Sequence, residues 1–401
     1  MNRLTLPPST VLILTYVLLL SASLSAQYTF TEHSPLPEEG RDDAAFFSLL
    51  GKLYVTGGRG AGFQVQGDLW EYNPFTDGWT ELSPFPGIAR QYAFSASIDG
   101  KAYLAGGLLE TGEASNELWS YDPAQDLWQL LSPMPAAPRY QGLGFIKDGN
   151  LVYGAGRNSF LLYSDLWSYD PIHNLWEAMS SLPGEGRYEL FSFQLDKEVY
   201  IAGGIDNTGE HLSNVLHWDA DNLSWEHSKD LPAGIAYADA ACTSDFCVIW
   251  DGLFNHQFSK ELILPELLRS QYNQGPSFAS LTYSGPSLRN SSLCVLGNRI
   301  YRFGGKDSAQ VKYSILTSVQ LKIDVQIMLF PNPNQGILNI QSDMPFHEIH
   351  VYDTMGKLVL KQKSVNVSRS MAIDMKAYGL IAGLYLICVD NIGAGRFVFS
   401  P

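Results

Sequence analysis

The sequence predicts an all-β protein: a six-bladed β-propeller, whose last blade is closed by the N-terminal strand, followed by a small seven-stranded β-sandwich. The main observation is a repeat in which an aromatic residue is followed eleven positions later by a slot that usually holds arginine. The six pairs are Phe30/Arg41, Trp79/Arg90, Trp128/Arg139, Trp176/Arg187, Trp225/Ala236 and Phe278/Arg289. A period of about 50 residues with recurrent glycine pairs is typical of propeller blades.

Strand patterns inside each repeat support the same fold. Stretches such as Lys52–Val55 and Ala93–Ala96 alternate between the two faces of a strand, and Asp-Gly, Gly-Gly and Asn-Pro turn signals bound them. Each repeat therefore predicts one four-stranded sheet. We expect the glycine pairs to end the second strands, where backbones crowd, and the large aromatic residues to pack between neighbouring sheets.

The first aromatic residue precedes the first complete repeat, whereas the last repeat stops without an aromatic strand of its own. The residues from Tyr28 to Thr31 therefore predict the outer strand of the last blade. Such a strand would close the ring and remove a free sheet edge.

The repeated text contains fuller motifs. The first unit reads GKLYVTGG at residues 51–58 and DLWEYNP at 68–74, and the second reads GKAYLAGG and ELWSYDP. The third unit has Ala155–Gly156 in place of the glycine pair, and the fifth, which diverges most, has Asp251–Gly252. The set resembles the kelch family of β-propellers, and the resemblance implies a propeller domain over residues 27–323.

The N-terminus has the order of a secretory signal peptide. Arg3 is followed by the apolar run Val11–Leu20 and the small-residue stretch Ser21–Ala26. The apolar run is too short for a comfortable membrane span. We therefore expect residues 1–26 to be a signal peptide, and no transmembrane segment after its removal.

Residues 324–401 predict a separate seven-stranded β-sandwich, because short alternating strands are joined there by Gly, Pro and Asn turns. The segment resembles the type A C-terminal sorting domain of proteins exported by the bacterial type IX secretion system. The residues that carry the resemblance are Pro331, Asn332, Pro333, Gly336, Tyr352, Asp353, Gly356, Lys357, Gly383, Leu384 and Tyr385. The resemblance implies passage through the periplasm, type IX machinery as the partner, and a secreted or surface-attached product.

Composition and cysteine usage fit a globular extracytoplasmic protein. The formal net charge of −15 argues against binding to nucleic acid or to an anionic membrane surface. Cys242 and Cys247 lie at a predicted hairpin, where a disulfide and two buried thiols are both open interpretations. Cys294 and Cys388 are interpreted as small core residues.

The arginine slots precede the innermost strands, so they are predicted to surround the mouth of the central channel. They are Arg41, Arg90, Arg139, Arg187 and Arg289. Guanidinium groups suit carboxylates and other planar anions. An alternative is that the arginines tie loops together and are neutralised by nearby acids, which are Glu38, Glu39, Asp42, Asp43, Glu185 and Glu189.

The favoured function is a non-catalytic module that binds a protein or a glycan, with no cofactor and no metal. The alternative is a sugar mutarotase or epimerase, which resembles the periplasmic sialic-acid epimerases and would use Glu185 or Glu189 as its acid–base group. Copper-radical oxidase chemistry is disfavoured because the eight histidines are scattered. The glycine-rich run at residues 57–62 does not open a helix, so it lacks the context of a dinucleotide site.

Overall fold

The computed structural model describes most of the chain between residues 27 and 399. The described residues are 27–195, 198–243, 247–258, 261–266, 277–282, 286–307, 309, 312–322, 327–330, 337–353, 358–377, 380, 382–389 and 393–399. The predicted signal peptide lies outside them. The chain divides into two compact units, one of residues 28–321 and one of residues 1–27 with 322–401. Over the described part, no helix is long and apolar enough to span a membrane.

The larger unit is all-β in a propeller arrangement. Its one described helical element is a short 3-10 turn at Ala61–Phe63. Sheets 1 to 3 follow one another along the chain. Sheet 1 contains Ala45–Leu49, Lys52–Thr56, Leu69–Asn73 and Gly78–Leu82. Sheet 2 contains Phe94–Ile98, Lys101–Ala105, Leu118–Asp122 and Leu127–Leu130. Sheet 3 contains Leu143–Lys147, Asn150–Gly154, Leu166–Asp170 and Leu175–Met179.

Three further four-stranded sheets complete the described part of this unit. Sheet 4 contains Tyr188–Leu195, Glu198–Ile205, Val215–Asp219 and Ser224–His227. Sheet 5 contains Asp239–Cys242, Cys247–Trp250, Glu261–Glu266 and Ser277–Thr282. Sheet 6 contains Ser292–Leu296, Arg299–Phe303, Leu316–Lys322 and Gln27–His33. The N-terminal strand is thus the outermost strand of the last sheet, as the sequence predicts.

The first strand of each sheet contacts the first strand of the next, and that of sheet 6 contacts that of sheet 1. These six strands surround a central cavity. Two short ladders lie outside the sheets, at the loops near the cavity. One joins Arg90–Gln91 to Leu108–Leu109, and the other joins Ile235–Ala236 to Leu253–Phe254 and then to Gln257–Phe258.

Aromatic residues of the repeat link neighbouring sheets. The indole Nε1 of Trp79 donates to the carbonyl oxygen of Ser34 at 2.8 Å, and Trp176 donates to Ser132 at 2.8 Å. Each of these rings also packs on a tyrosine of its own third strand, such as Tyr72 with centroids 5.1 Å apart. The aromatic slot therefore serves the packing role predicted for it, since one ring combines apolar burial with a directed hydrogen bond.

Cys242 and Cys247 are cross-strand partners in sheet 5 and form a disulfide, which selects one of the two interpretations left open by the sequence. Cys294 is a free cysteine of intermediate burial. Nothing is described of the Cys388 side chain.

The second unit contains one described sheet of five strands, where the sequence predicts seven strands in a sandwich. The strands are Ile327–Phe330, Ile337–Tyr352, Leu358–Asp374, Gly383–Val389 and Gly393–Phe399. The second and third are 16 and 17 residues long, and their register shifts between Gln341 and Glu348. The two strands continue through these register shifts as β-bulges, where the sequence pattern indicates turns. The sequence therefore predicts two short strands in place of each long one.

Candidate functional site

Four of the predicted arginines lie just before the first strands of their sheets, but their side chains are buried and bind other residues of the protein. Arg41, Arg90, Arg139 and Arg187 are at most 5% exposed. Arg41 binds both carboxylate oxygens of Asp68, at 2.6 and 2.8 Å. The same pairing repeats in the next three sheets. Arg90 binds Glu117 at 2.6 Å, Arg139 binds Asp165 at 2.7 and 3.0 Å, and Arg187 binds the amide oxygen of Asn214 at 2.8 Å.

These guanidinium groups also donate to a backbone carbonyl sixteen residues later, which for Arg41 is that of Gly57 at 3.2 Å. They therefore tie the start of each first strand to the loop between the second and third strands of the same sheet. This geometry matches the loop-tying alternative, although the acid partners are not the neighbouring acids that the sequence suggested. The actual partner stands immediately before the LW motif in the first three sheets.

The fifth predicted arginine, Arg289, is one residue away from the equivalent position. In the regular sheets, the carbonyl oxygen at the arginine slot accepts a hydrogen bond from the second glycine of the preceding sheet, as Arg90 does from Gly58 at 2.9 Å. In sheet 6 the equivalent bond runs from Gly252 to Leu288 at 2.9 Å. The spacing from the aromatic slot is therefore ten residues there, and a count of eleven selects the wrong residue. In sheet 5 the equivalent position is Ile235, ten residues after Trp225, and not the predicted Ala236, because the Ile235 amide donates to Leu212 as that of Arg187 donates to Tyr163.

Two residues after each slot, with the slots of sheets 5 and 6 corrected in this way, stands a non-glycine residue with a positive φ angle. These residues are Asp43, Tyr92, Gln141, Glu189, Tyr237 and Asn290, with φ between 52° and 62°. One comes from each sheet, and all six line the central cavity, whose volume is about 240 Å³. Left-handed backbone is unfavourable for such residues and tends to be retained at functional sites.

Backbone hydrogen bonds join these six residues across the sheet boundaries. The amide of Tyr92 donates to the carbonyl oxygen of Asp43 at 2.9 Å, and that of Glu189 donates to Gln141 at 3.1 Å. The amide of Asp43 donates to Asn290 at 3.1 Å, which links sheet 1 to sheet 6. The strained backbone is therefore held by its neighbours, and it directs the six side chains to one cavity.

Glu189 is the acidic group at the centre of this arrangement. Gln141 Nε2 donates to its carboxylate, and Asn290 Nδ2 donates to it at 3.4 Å. Burial raises the pKa of Glu189 to about 7, although the side chain remains partly open to the cavity. Glu185, the other acid considered for catalysis, is exposed and is not among the residues that line the cavity.

Two more carboxylates face the cavity. Asp43 is 6% exposed, and burial together with the charges of Asp42 and Glu189 raises its pKa well above the usual range. Within the described residues, neither Asp43 carboxylate oxygen has a hydrogen bond of normal geometry. Burial raises the pKa of Asp239 to about 6, while the backbone amides of Leu293 and Ala240 donate to that carboxylate at 2.7 and 2.8 Å.

An arginine outside the predicted set, Arg157, lies next to the residues that line the cavity, at a position that we call the rim. Its backbone pairs with that of Tyr140, the neighbour of the lining residue Gln141, and its charge acts on Tyr237. The Arg157 guanidinium lies 4.7 Å from the ring centroid of Tyr188 and 5.7 Å from that of Tyr140. Its Nε donates to the Asn158 carbonyl oxygen at 3.3 Å, and no carboxylate of the described residues lies within 4.0 Å of it. Arg157 is thus oriented by aromatic rings and keeps donors for a ligand.

Arg289 lies at the same rim, with its guanidinium 5.3 Å from the ring centroid of Tyr237. Burial raises the pKa of that tyrosine to about 12, so its hydroxyl stays protonated near neutrality. The cavity therefore combines arginines, tyrosine hydroxyls, amides and a carboxylate that titrates near neutrality. In the described part of the chain, no group of three or more His, Cys, Asp or Glu side chains is placed to hold a metal ion.

Most sorting-motif residues cannot be placed. Pro331, Asn332, Pro333, Gly336, Gly356 and Lys357 lie outside the described residues. Tyr352 ends the second strand of the sheet in the second unit, and Asp353 follows it. Gly383 starts the fourth strand and pairs with Phe399. Tyr385 is 5% exposed and belongs to the core of this unit, with Leu338, Ile349 and Ile387.

Comparison with known families places the fold in the kelch class. The model described as "KLHDC2/KLHL20/DRC7 Kelch-repeats domain" matches residues 15–204, and the model described as "Secretion system C-terminal sorting domain" matches residues 328–395. The chain therefore contains a kelch-repeat domain and a C-terminal secretion-system sorting domain. No curated protein matches it.

A solved structure described as "Structure of YjhT" is similar in fold. It is 18% identical, with a TM-score of 0.59 over 72% of this chain and 99% of that chain. At this identity the likeness shows the fold alone.

Proposed function

We propose that this chain is a six-bladed kelch propeller, secreted or held at the cell surface, that binds a glycan in its central cavity without catalysis. The observation that carries the proposal is the convergence of one side chain from each sheet on a cavity whose rim holds Arg157 between two tyrosine rings. Hydroxyl, amide and carboxylate groups suit the hydroxyls of a sugar, and aromatic edges suit its apolar face. A protein is the other kind of ligand that a non-catalytic binding module of this type would take.

The sorting domain indicates handling by the type IX secretion system, with export to the surface or the medium. We propose the boundaries 1–26 for a signal peptide, 27–323 for the propeller and 324–401 for a sorting sandwich, with a periplasmic stage before export. The internal disulfide of sheet 5 fits an oxidising compartment.

A glycan array probed with the full chain tests the binding proposal. Arg157→Gln is expected to lower glycan binding at least about tenfold. No carboxylate among the described residues pairs with this guanidinium, so its charged donors would be lost directly from the contact with the ligand. Arg299→Gln is the matched control, since Arg299 lies at the turn between the first two strands of sheet 6, away from the loops that carry Arg157. Glycan binding that is equal in both variants would overturn the assignment of the site.

One observation favours the mutarotase or epimerase as a second candidate. Glu189 faces the cavity near the charges of Lys306 and Arg289, and its pKa of about 7 suits a group that both takes and gives a proton near neutrality. Incubation with free sialic acids, followed by NMR of anomeric exchange, tests this candidate. Turnover that is lost in Glu189→Gln and retained in Glu185→Gln would support it, and no turnover in the unmodified chain would reject it.

A further inference from the structure

A second pocket lies beside the central cavity, on the loop between the second and third strands of sheet 1. We name it the Phe63 pocket. It is lined by Glu39, Gly40, Arg59, Gly60, Ala61, Gly62, Phe63, Lys306 and Lys312, and its volume is about 560 Å³. Sheets 1 and 6 both contribute to it, so it lies at the junction where the ring closes.

Positive charge is concentrated in this pocket. Arg59, Lys306 and Lys312 surround the fully buried Asp42 carboxylate, with Lys312 Nζ at 2.9 Å and Arg59 Nη2 at 3.8 Å from its oxygens. Asp42 is buried behind the lining, and the one acid of the lining itself is the exposed Glu39. The three cations are therefore balanced by two carboxylates, which leaves one positive charge in excess among these five residues. This excess occurs on a chain whose formal net charge is −15.

Internal hydrogen bonds hold the cations in place, but some of their donors remain available to a ligand. Lys312 Nζ donates to the carbonyl oxygens of Arg59 and Gly60 at 2.6 and 2.7 Å, which fixes the loop. The Arg59 side chain is 24% exposed, and its Nη2 atom lies 3.8 Å from the Asp42 carboxylate, which is beyond hydrogen-bond distance. Such an arrangement favours an anion, because ligand oxygens would occupy donors that the protein leaves unused.

An aromatic ring stands over this positive charge. Phe63 is 78% exposed, although it is large and apolar, and its φ of 64° is strained for a residue with a Cβ. The Arg59 guanidinium lies 5.3 Å from its ring centroid, which orients the ring at the pocket. An exposed, oriented aromatic face next to cations suits the apolar face of a ring that carries a negative group.

We propose that the Phe63 pocket binds an acidic sugar unit of an oligosaccharide whose neighbouring unit occupies the central cavity. The sugar ring would stack on Phe63, and its sulfate or carboxylate group would contact Arg59. Lys306 connects the two sites, because it lines the Phe63 pocket and also acts electrostatically on Glu189 and Asp43 in the cavity. This inference rests on the proposed glycan-binding function and narrows its ligand to an extended acidic glycan.

Calorimetric titration of the full chain with three hexasaccharides tests the inference. The probes are a neutral agarose hexasaccharide, a sulfated κ-carrageenan hexasaccharide and hexagalacturonate, which carries carboxylates. We expect at least one charged probe to bind about tenfold tighter than the neutral one, and the difference to shrink when salt is raised from about 0.05 to 0.3 M. The better of the two charged probes identifies the anionic group.

Two substitutions distinguish the contribution of the Phe63 pocket to binding from that of the central cavity. Phe63→Ala and Arg59→Gln are each expected to weaken the charged probe about fivefold or more, without changing the fold, since Phe63 is exposed. Phe75→Ala is the matched control, because Phe75 is 97% exposed at the turn between the last two strands of sheet 1. Circular dichroism of each variant verifies folding.

Equal affinity for neutral and charged probes would overturn the proposal that the Phe63 pocket binds an acidic sugar. Equal losses of affinity in Phe63→Ala and Phe75→Ala would overturn it as well. If Arg157→Gln still abolished glycan binding in that case, the proposed glycan-binding function would stand, and only the assignment of the Phe63 pocket would be wrong. Absence of binding to every glycan tested would overturn both.

Discussion

The buried arginines of sheets 1 to 4 and the rim arginines use the same side chain in opposite ways. Arg41, Arg90 and Arg139 are nearly fully buried and bound to a carboxylate of their own sheet. Arg157 and Arg59 stand two residues after the first position of the glycine pair in their sheets. Arg157 contacts tyrosine rings at the cavity rim, and Arg59 contacts Phe63 in the Phe63 pocket. Residues that recur with the repeat hold the sheets together, whereas residues that vary from sheet to sheet line the cavity.

The largest loss of stability is expected when the closing strand of sheet 6 is removed. Deletion of residues 28–36 would take away the outer strand of sheet 6, the Phe30 contact with Trp250 and the buried Leu36. We expect a loss comparable with the stability of a whole domain, about 5–15 kcal/mol, because the ring would open and expose a sheet edge. Thermal unfolding measures it, and an unchanged melting temperature would contradict closure by the N-terminal strand.

The next test compares two members of the buried set. Arg139→Leu removes the partner of the Asp165 carboxylate, whose side chain is 35% exposed, so we expect a loss of about 2–3 kcal/mol after partial solvation. Arg187→Leu removes only the partner of the neutral Asn214 amide, so we expect about 1–2 kcal/mol. Urea unfolding of both variants measures the difference. Similar losses would show that the charge of the partner contributes little.

A smaller effect is expected at the cavity, and it depends on pH. The pKa of Glu189 lies at about 7 in the folded protein, above its ordinary value of 4.5, so its ionisation on raising the pH destabilises the folded state. Stability should therefore fall between about pH 4.5 and 7, and Glu189→Gln should remove about 1–2 kcal/mol of that fall. The measurement is the unfolding free energy of both proteins at pH 5 and pH 8. A gain from the substitution at pH 5 as large as at pH 8 would contradict the assignment.

The smallest effect on stability is expected at the rim. Arg157→Gln should change the unfolding free energy by less than about 0.5 kcal/mol, because the side chain has no ion pair among the described residues. The same substitution should reduce ligand binding strongly. A loss of stability similar to that of Arg139→Leu would erase the distinction between the buried and rim arginines.

Periodicity explains why the scaffold could be predicted. Strand alternation and recurring turns indicate sheets locally, and the displaced Phe30 slot indicates the closing strand. The periodic signal fails where spacing changes: the aromatic-to-arginine count of eleven selects Ala236 and Arg289, although Ile235 and Leu288 occupy the equivalent positions. It also divides the two longest C-terminal strands, whose bulges follow from pairing that no local pattern reports.

The cavity was only partly predictable. The position of Glu189 beside Arg187 indicates it as a candidate, and its side chain does face the cavity. The sequence does not indicate Tyr92, Gln141 and Asn290, because their common property is a backbone angle rather than a residue type. The available signal was positional, since one such residue follows two places after each slot.

The backbone bond from Asp43 to Asn290 has a consequence for assembly during synthesis. The walls of the cavity come from segments spread between residues 43 and 293, and the last of them is made long after the first. A partly synthesised chain therefore lacks a complete cavity and could not yet make the glycan contacts proposed above. Conversely, a ligand that contacts several sheets would bind only the closed ring and would oppose its opening by mass action.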